Sequence, residues 1–232
     1  MMQQGFTNSL RKYDLHTHTS FSPCGSMKPD ELIAQALSVS LHGIAITDHN
    51  TMDGVMQALE MQEDGTAPQT LEIIPGEEIT TDRGEIIGLF LKEAIEPGAF
   101  EDTIAAIKKQ NGLVIVPHPF DPIRKAVKPL DQEAILFDAI EVLNGRAAYA
   151  AINKQARTYA QRNNRAMVCG SDAHYPFEVG MVTFTIPEEI DSKIAISSGN
   201  GVIDAKKREF AYYYTKKICG KIKRIVRKKS HI

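Results

Sequence analysis

The sequence predicts an α/β protein whose largely parallel sheet closes into a barrel, and three observations carry that prediction. Apolar runs bounded by turn residues recur about every 28 residues, the length of one strand, one helix and two loops. Five of the seven histidines stand where these runs end. If those histidines serve one site, the sheet must close. The first and seventh strands of an open sheet lie roughly 29 Å apart at about 4.8 Å per strand, beyond the reach of ligands bonded at about 2 Å.

The elements follow in order. Strands are expected to begin near Tyr13, Gly43, Leu71, Glu85, Leu113, Ala139 and Met167, with a further run near Met181. Successive gaps are 30, 28, 14, 28, 26 and 28 residues. The short gap reads as a hairpin, because Thr81-Asp82-Arg83-Gly84 supplies the Asp and Gly of a tight reversal. Between the other strands lie helices. One opens at Lys28-Pro29-Asp30-Glu31-Leu32, with Pro and acids in its first turn, and ends near His42-Gly43, where glycine would serve as a C-terminal stop. Others are expected over about 51–64, 99–110 and 147–163. No residue pattern recurs from unit to unit, so the regular spacing is not a sequence repeat.

Composition excludes several classes. With 43% hydrophobic and 24% charged residues, the 232-residue chain is neither disordered nor fibrous. No stretch approaches eighteen consecutive apolar residues, so no integral membrane segment is expected. The start, Met1 to Asn8, lacks the features of a secretory signal, and a soluble, cytoplasmic protein is expected. Cys24, Cys169 and Cys219 are odd in number and form no CxxC pair, which excludes a disulfide framework. The net charge of −2 divides into −11 for residues 1–203 and +9 from Asp204 onward. An acidic body fits cation binding, and it fits simple surface solubility as well. The expected organisation is a barrel over 1–203 and a basic amphipathic C-terminal helix or tail over 204–232.

The strand-end fragments carry the chemistry. In His16-Thr17-His18 the two histidines are two apart on a strand and face one way, so both can reach one cation. Asp172-Ala173-His174 repeats that spacing. Between them come Thr47-Asp48-His49, Pro75-Gly76-Glu77-Glu78-Ile79 and Val116-Pro117-His118-Pro119. Each fragment has an ordinary alternative: a strand-end His as a hydrogen-bonded loop residue, Asp48 and Asp172 as helix caps, Glu77 and Glu78 as solvated surface. His42 and His231 are read in that ordinary way. Those alternatives supply no reason for all the fragments to fall at one end of the strands, where parallel-barrel enzymes place their sites.

In this order, Asp14-Leu15-His16-Thr17-His18-Thr19, Ile46-Thr47-Asp48-His49, Pro75-Gly76-Glu77-Glu78-Ile79, Pro117-His118-Pro119 and Gly170-Ser171-Asp172-Ala173-His174 resemble the motifs of the polymerase and histidinol phosphatase (PHP) family. The resemblance covers residues 13–180. It implies a distorted (β/α)7 barrel and hydrolysis of phosphoesters by two or three divalent metal ions, usually manganese, iron or zinc. It further implies that His16 and His18 bind a first metal with Asp172, that Glu78 bridges it to a second held also by His118, and that His49 and His174 hold a third. Two departures bear on the ions. Where many members have His or Asp, this chain reads Ser22-Pro23-Cys24-Gly25, making Cys24 a thiolate ligand or a bystander. Where many place another His in the fourth strand, it offers Glu85. A thiolate favours zinc or softer iron chemistry.

The expected reaction uses a metal-bound hydroxide, a nucleophile at neutral pH, while the same cations neutralise phosphoryl charge. His174 or Asp48 is a candidate acid for the leaving group, and Asp14 and Asp48 are candidate outer carboxylates orienting imidazoles. Arg124 and Arg146, in loops after strands, are candidate phosphate clamps, with surface salt bridges as the alternative. Arg83 is read as surface. In the tail, Tyr212, Tyr213, Tyr214, Ile218, Ile222, Ile225 and Val226 alternate with basic residues. The tail fits a helix packed on the barrel with a solvated basic face, and it also fits a nucleic-acid clamp or a membrane-surface helix. The expected substrate is a nucleotide, an oligonucleotide or a small phosphorylated metabolite. A non-enzymatic metal-binding regulatory or nucleic-acid-binding module is the alternative from another class. Amidohydrolase chemistry ranks last, because Glu78 stands where that chemistry usually has a modified lysine.

Overall fold

Most strands are buried on both sides, and the alternation of side chains along them sorts their residues into a helix-facing cluster and a second, interior cluster. The computed structural model describes residues 9–129 and 131–206. Its strands are β1 (Leu10–Thr17), β2 (Gly43–Ile46), β3 (Glu72–Thr81), β4 (Gly84–Leu89), β5 (Leu113–Val116), β6 (Ala139–Asn144), β7 (Ala166–Gly170), β8 (Val182–Pro187) and β9 (Val202–Ala205). They form one sheet in the order β7-β6-β5-β4-β3-β2-β1-β8-β9. The first seven run round in chain order, and the end of β7 returns to β1. There Thr17 bridges Ala173, the His18 amide donates to the Ala173 carbonyl at 2.8 Å, and the Asp172 amide donates to the His16 carbonyl at 2.8 Å. The other half of the same β1 edge pairs antiparallel with β8, Leu10 opposite Pro187 and Tyr13 opposite Phe184. Two strands sharing one edge make a nearly closed, distorted barrel, as expected.

The hairpin is where the spacing places it, with β3 and β4 paired from Gly76–Leu89 to Thr81–Gly84. Because β4 is antiparallel to both β3 and β5, its amino end lies among the carboxyl ends of the others. That inversion brings Glu85 to the histidines.

The helices are α1 (Pro29–Ser38), α2 (Asp53–Glu63), α3 (Phe100–Lys109), α4 (Ala150–Arg162) and α5 (Ser192–Ser198). Pro29 and the Glu31 carboxylate, which accepts the Lys28 amide at 2.9 Å, start α1 as the sequence suggests. Its end differs from expectation. The helix stops at Ser38, and Gly43 is already in β2, where an added Cβ would lie 2.3 Å from the Tyr13 ring. Gly43 therefore serves close packing rather than helix termination. Helix α5 and strand β9 are additions that the apolar runs did not indicate, and β9 crosses the expected boundary at 203.

Ile44, Ile46, Val114, Val116, Ile140 and Val142 pack with the helices, whereas Leu15, Ala45, Ile74, Ile87, Leu113, Ile115, Ala139 and Val168 form a second cluster. On β3, β4, β6 and β7 the residues of this second face continue into Glu78, Glu85, Glu141 and Asp172. One face thus passes from apolar to acidic along the strands. On β1 the pairing with β2 shifts between Asp14 and Thr17, an irregularity that brings His16 onto the same side as Leu15. No helix among the described residues is long and apolar enough to cross a membrane. The expected tail helix, with Tyr212–Tyr214 and its Lys and Arg residues, lies outside the described residues.

Candidate metal centre

Four side chains converge at the barrel's acidic end. His16 Nε2 and His18 Nε2 are 3.1 Å apart. Glu78 Oε2 lies 3.4 and 3.3 Å from them, and Asp172 Oδ1 lies 3.9 and 3.5 Å from them. Four ligands bonded tetrahedrally at about 2.1 Å stand about 3.4 Å from one another. The five separations that involve a histidine, 3.1 to 3.9 Å, bracket that figure. All four residues are buried, and neither Glu78 Oε2 nor Asp172 Oδ1 has a hydrogen-bond partner among the described residues. Two ionisable oxygens buried without donors cost several kcal/mol each unless a cation compensates them (about 1–3 kcal/mol even for neutral groups). These residues fit a divalent ion.

The tautomers fit as well. Glu141 Oε1 lies 2.9 Å from His16 Nδ1, so the proton sits on Nδ1 and leaves the Nε2 lone pair for the centre. The Ser22 hydroxyl donates to Asp48 at 2.6 Å and lies 3.3 Å from His18 Nδ1, which gives His18 the same tautomer. Asp48 thus orients His18 through Ser22. Its oxygens also accept the Thr19 amide and hydroxyl, so it clamps the loop after β1 and caps no helix.

Glu78 faces two ways. Its Oε1 is 2.9 Å from His118 Nε2, while Oε2 serves the His16–His18 pair and stands 3.3 Å from His49 Nδ1. Glu85 Oε1 is 3.7 Å from His49 Nδ1. Overlapping groups able to hold an ion are His16-His18-Glu78, His16-His118-Asp172, His18-His49-His174 and His49-Glu78-Glu85. His174 Nδ1 is 2.8 Å from the Asp172 carbonyl, and its Nε2 is 3.0 Å from Cys24 Sγ. Cys24 is exposed and joins none of the four groups. Asp172 and His118 adopt φ of 56° and 30°, left-handed values unusual for such residues.

The field is strongly negative. Burial alone lowers the His16 pKa, but Glu141, Asp172 and Glu78 outweigh it and raise it well above the usual histidine value. Burial pushes Glu78 and Asp172 up, and their cationic neighbours bring both well below the carboxylate range, His16 for Glu78 and Arg124 for Asp172. Burial with the nearby Glu78 charge raises Glu85 to about 7. Burial, reinforced by His18, takes His174 down to about 2, so its imidazole is neutral. Carboxylates that favour a proton on His16 favour a divalent cation in its place.

The remaining expected residues are placed as follows. Arg124 Nη1 contacts Asp172 Oδ2 at 2.5 Å, so its guanidinium reaches the centre. Arg146 Nη1 lies 3.5 Å from Glu178, whose carboxylate accepts the His174 amide at 2.7 Å. Asp14 spends its carboxylate on the Ser171 and Gly180 amides, at 2.9 and 2.8 Å, holding the β1–β7 seam rather than an imidazole. Glu77 points away from Glu78 and accepts the Ile95 amide at 2.8 Å. Both glutamates are fully buried, which removes the solvated alternative. Sequence reasoning did not single out Glu141, Ser22, Asn144 or Glu178 as supports. A carboxylate inside the apolar run Ala139-Ile140-Glu141-Val142-Leu143 was the available signal.

A family model for the PHP domain matches residues 14–225. The uncharacterised protein MJ1587 of Methanocaldococcus jannaschii is 36% identical over 167 residues, covering 65% of this chain and 95% of that one. The 5'-3' exoribonuclease Rnm of Escherichia coli is 39% identical over 75 residues, covering 32% of this chain and 25% of that protein. Among solved structures, a two-domain protein from Bacteroides vulgatus containing a predicted PHP-like metal-dependent phosphoesterase superposes with a TM-score of 0.70 at 22% identity, covering 85% of this chain and 65% of that one. The chain therefore spans less than two thirds of that structure and a quarter of the exoribonuclease. The family match and these relatives support a metal-dependent hydrolase acting on phosphoesters.

Proposed function

The chain belongs to the PHP domain family, and from that premise we propose that it hydrolyses a phosphoester with two or three divalent ions, manganese, iron or zinc, held at the acidic end of the barrel. The observation that carries this reading is the set His16, His18, Glu78 and Asp172, with both carboxylates within 3.9 Å of the paired imidazoles and two buried carboxylate oxygens that no donor among the described residues satisfies. His118 would share Glu78 on its other oxygen, and His49 and His174 would complete a third position beside His18. Cys24 joins none of these groups but lies 3.0 Å from His174 Nε2, so it would reach the third position only as an added ligand, and a thiolate there would favour zinc or iron over manganese. When bound, such ions supply an activated water at neutral pH and neutralise phosphoryl charge.

The chain's own residues do the remainder. Arg124, poised on Asp172, and Arg146, beyond His174, offer guanidinium donors to the phosphoryl oxygens. Glu141 and Ser22 fix the ligand tautomers. Asp48 has its oxygens committed to Thr19 and Ser22 and His174 is neutral, so neither is an acid for the leaving group, whose charge a bound ion would neutralise instead. Nucleotides, oligonucleotides and small phosphorylated metabolites all remain within this chemistry, and the exoribonuclease relative supports the first two.

The test is turnover of a phosphomonoester and a phosphodiester with added manganese or zinc, by wild type and His16→Ala. Hydrolysis that is lost on chelation and in the variant is expected, and the preferred ester distinguishes phosphatase from nuclease. Tight metal binding with no turnover of either ester would point to a non-enzymatic metal-binding module.

A further inference from the structure

Exposed aromatic side chains are unevenly distributed over this molecule. Among the described residues they are Phe21, Tyr149, Tyr175 and Phe177, with exposures of 41%, 63%, 43% and 48%. All four stand on loops that follow the carboxyl ends of β1, β6 and β7, neighbouring strands that carry His18, Asn144 and Asp172. The exposed large apolar residues elsewhere are aliphatic or methionine. Solubility favours no such segregation, because a ring in water costs the same on any loop.

Tyr175 and Phe177 form a unit. Their rings are stacked, 12° apart with centroids at 5.7 Å, and both remain partly exposed, so a further flat ring could extend the stack. The turn beneath them is held firmly. Pro176 opens a short 3-10 segment, Glu178 accepts the amides of His174 and Tyr175, and the Ser26 amide donates to the His174 carbonyl. The pair therefore follows directly on a residue of the metal centre, and through Glu178 it is tied to Arg146. The pair thus lies within three residues of the ligand candidate His174 and next to Glu178, which contacts Arg146. A nucleotide likewise carries its base close to its phosphate, and bases stack on aromatic side chains with little regard to sequence.

We propose that Tyr175 and Phe177 are the platform on which an unpaired nucleobase of the scissile ester stacks, so that base recognition is built into the rim of the metal site. The phosphate position rests on the phosphoester reading above. The platform itself is testable without turnover. A base already stacked within a duplex has no free face to offer, so single-stranded or mononucleotide esters are the class that fits.

The experiment uses the full chain with two arms. In the first, zinc-loaded protein is titrated into a mononucleotide and a short single strand, each a non-hydrolysable ester carrying a fluorescent purine analogue quenched by stacking, with the duplex as control. Quenching by wild type is expected, with Kd raised about tenfold or more in Tyr175→Leu/Phe177→Leu, which keeps apolar bulk but removes the rings. Response to the mononucleotide would identify a nucleotide substrate, and response to the strand alone an oligonucleotide. In the second arm, the kcat/KM ratio for an ester with its base over the same ester lacking it should fall by a similar factor in the leucine variant. No quenching, equal Kd in the variant, or equal binding of duplex would overturn the platform. Quenching that depends on the rings, with no ester hydrolysed, would retain the platform and overturn the hydrolase reading.

Discussion

Replacing Glu141 by Gln should damage the metal centre without touching a ligand, and the structure shows why neither orientation of the amide can substitute. Glu141 Oε1 takes the His16 Nδ1 proton at 2.9 Å, while Oε2 accepts the His118 amide at 2.6 Å and the Asn144 side-chain amide at 2.9 Å. If the glutamine carbonyl faces His16, its NH2 meets two buried donors and orphans them, at about 1–3 kcal/mol each. If the carbonyl faces His118 and Asn144 instead, the NH2 meets His16 Nδ1. The imidazole must then hold its proton on Nε2, where it cannot bind a cation. Loss of such an outer partner lowers metal affinity about 10–100-fold, or roughly 1.4–2.7 kcal/mol. The assay is zinc or manganese affinity by chelator competition, paired with thermal melting of metal-free protein. Affinity within twofold of wild type, with an unchanged metal-free melt, would show that Glu141 does not set the His16 tautomer.

Three further outcomes are expected. In Gly54→Ala the new Cβ would lie 2.1 Å from Asp48 Oδ2 and 2.5 Å from Thr19 Oγ1, so the clamp on the loop after β1 must shift; a loss of about 1–3 kcal/mol in denaturant titration is expected, with weaker metal binding. Glu77 is buried and its pKa is raised to about 7, burial being the main cause. Its unfolded value lies lower, so the unfolded chain releases the proton first and stability falls as pH rises from about 4.5 to 7, by at most about 3 kcal/mol. Glu77→Gln should flatten that dependence, seen as a melting temperature that gains more at pH 8 than at pH 5, and equal gains would contradict it. Metal at about 100 times its Kd should stabilise the wild type by about 2.7 kcal/mol, and His16→Ala should show far less of that shift in the same melt.

Much of the fold was legible because strand period, helix spacing and turn residues are local properties. The hairpin at Asp82-Arg83 followed from two residues, and it explains how Glu85 reaches the centre. What escaped depended on tertiary contact. Gly43 looked like a helix stop, yet its role is set by the Tyr13 ring of another strand. Strand β9 has an exposed alternating pattern and owes its place to pairing with β8. In the site, residues that sequence spacing puts on one strand were legible, such as His16 and His18. Supports reaching across the barrel were not, since Glu141 meets His16 across 125 residues of sequence. Asp14 and Asp48 were foreseen as carboxylates behind the ligands, but only the hydrogen bonds distinguish the seam holder from the loop clamp.

Anomalous diffraction from crystals grown with manganese or zinc decides whether His16, His18, Glu78 and Asp172 share one ion. A peak is expected about 2.0–2.2 Å from His16 Nε2, His18 Nε2, Glu78 Oε2 and Asp172 Oδ1, with further density on the His118 or His49 side of Glu78. A loaded crystal with no peak among these atoms, and with Glu78 Oε2 and Asp172 Oδ1 satisfied by ordinary donors, would contradict it.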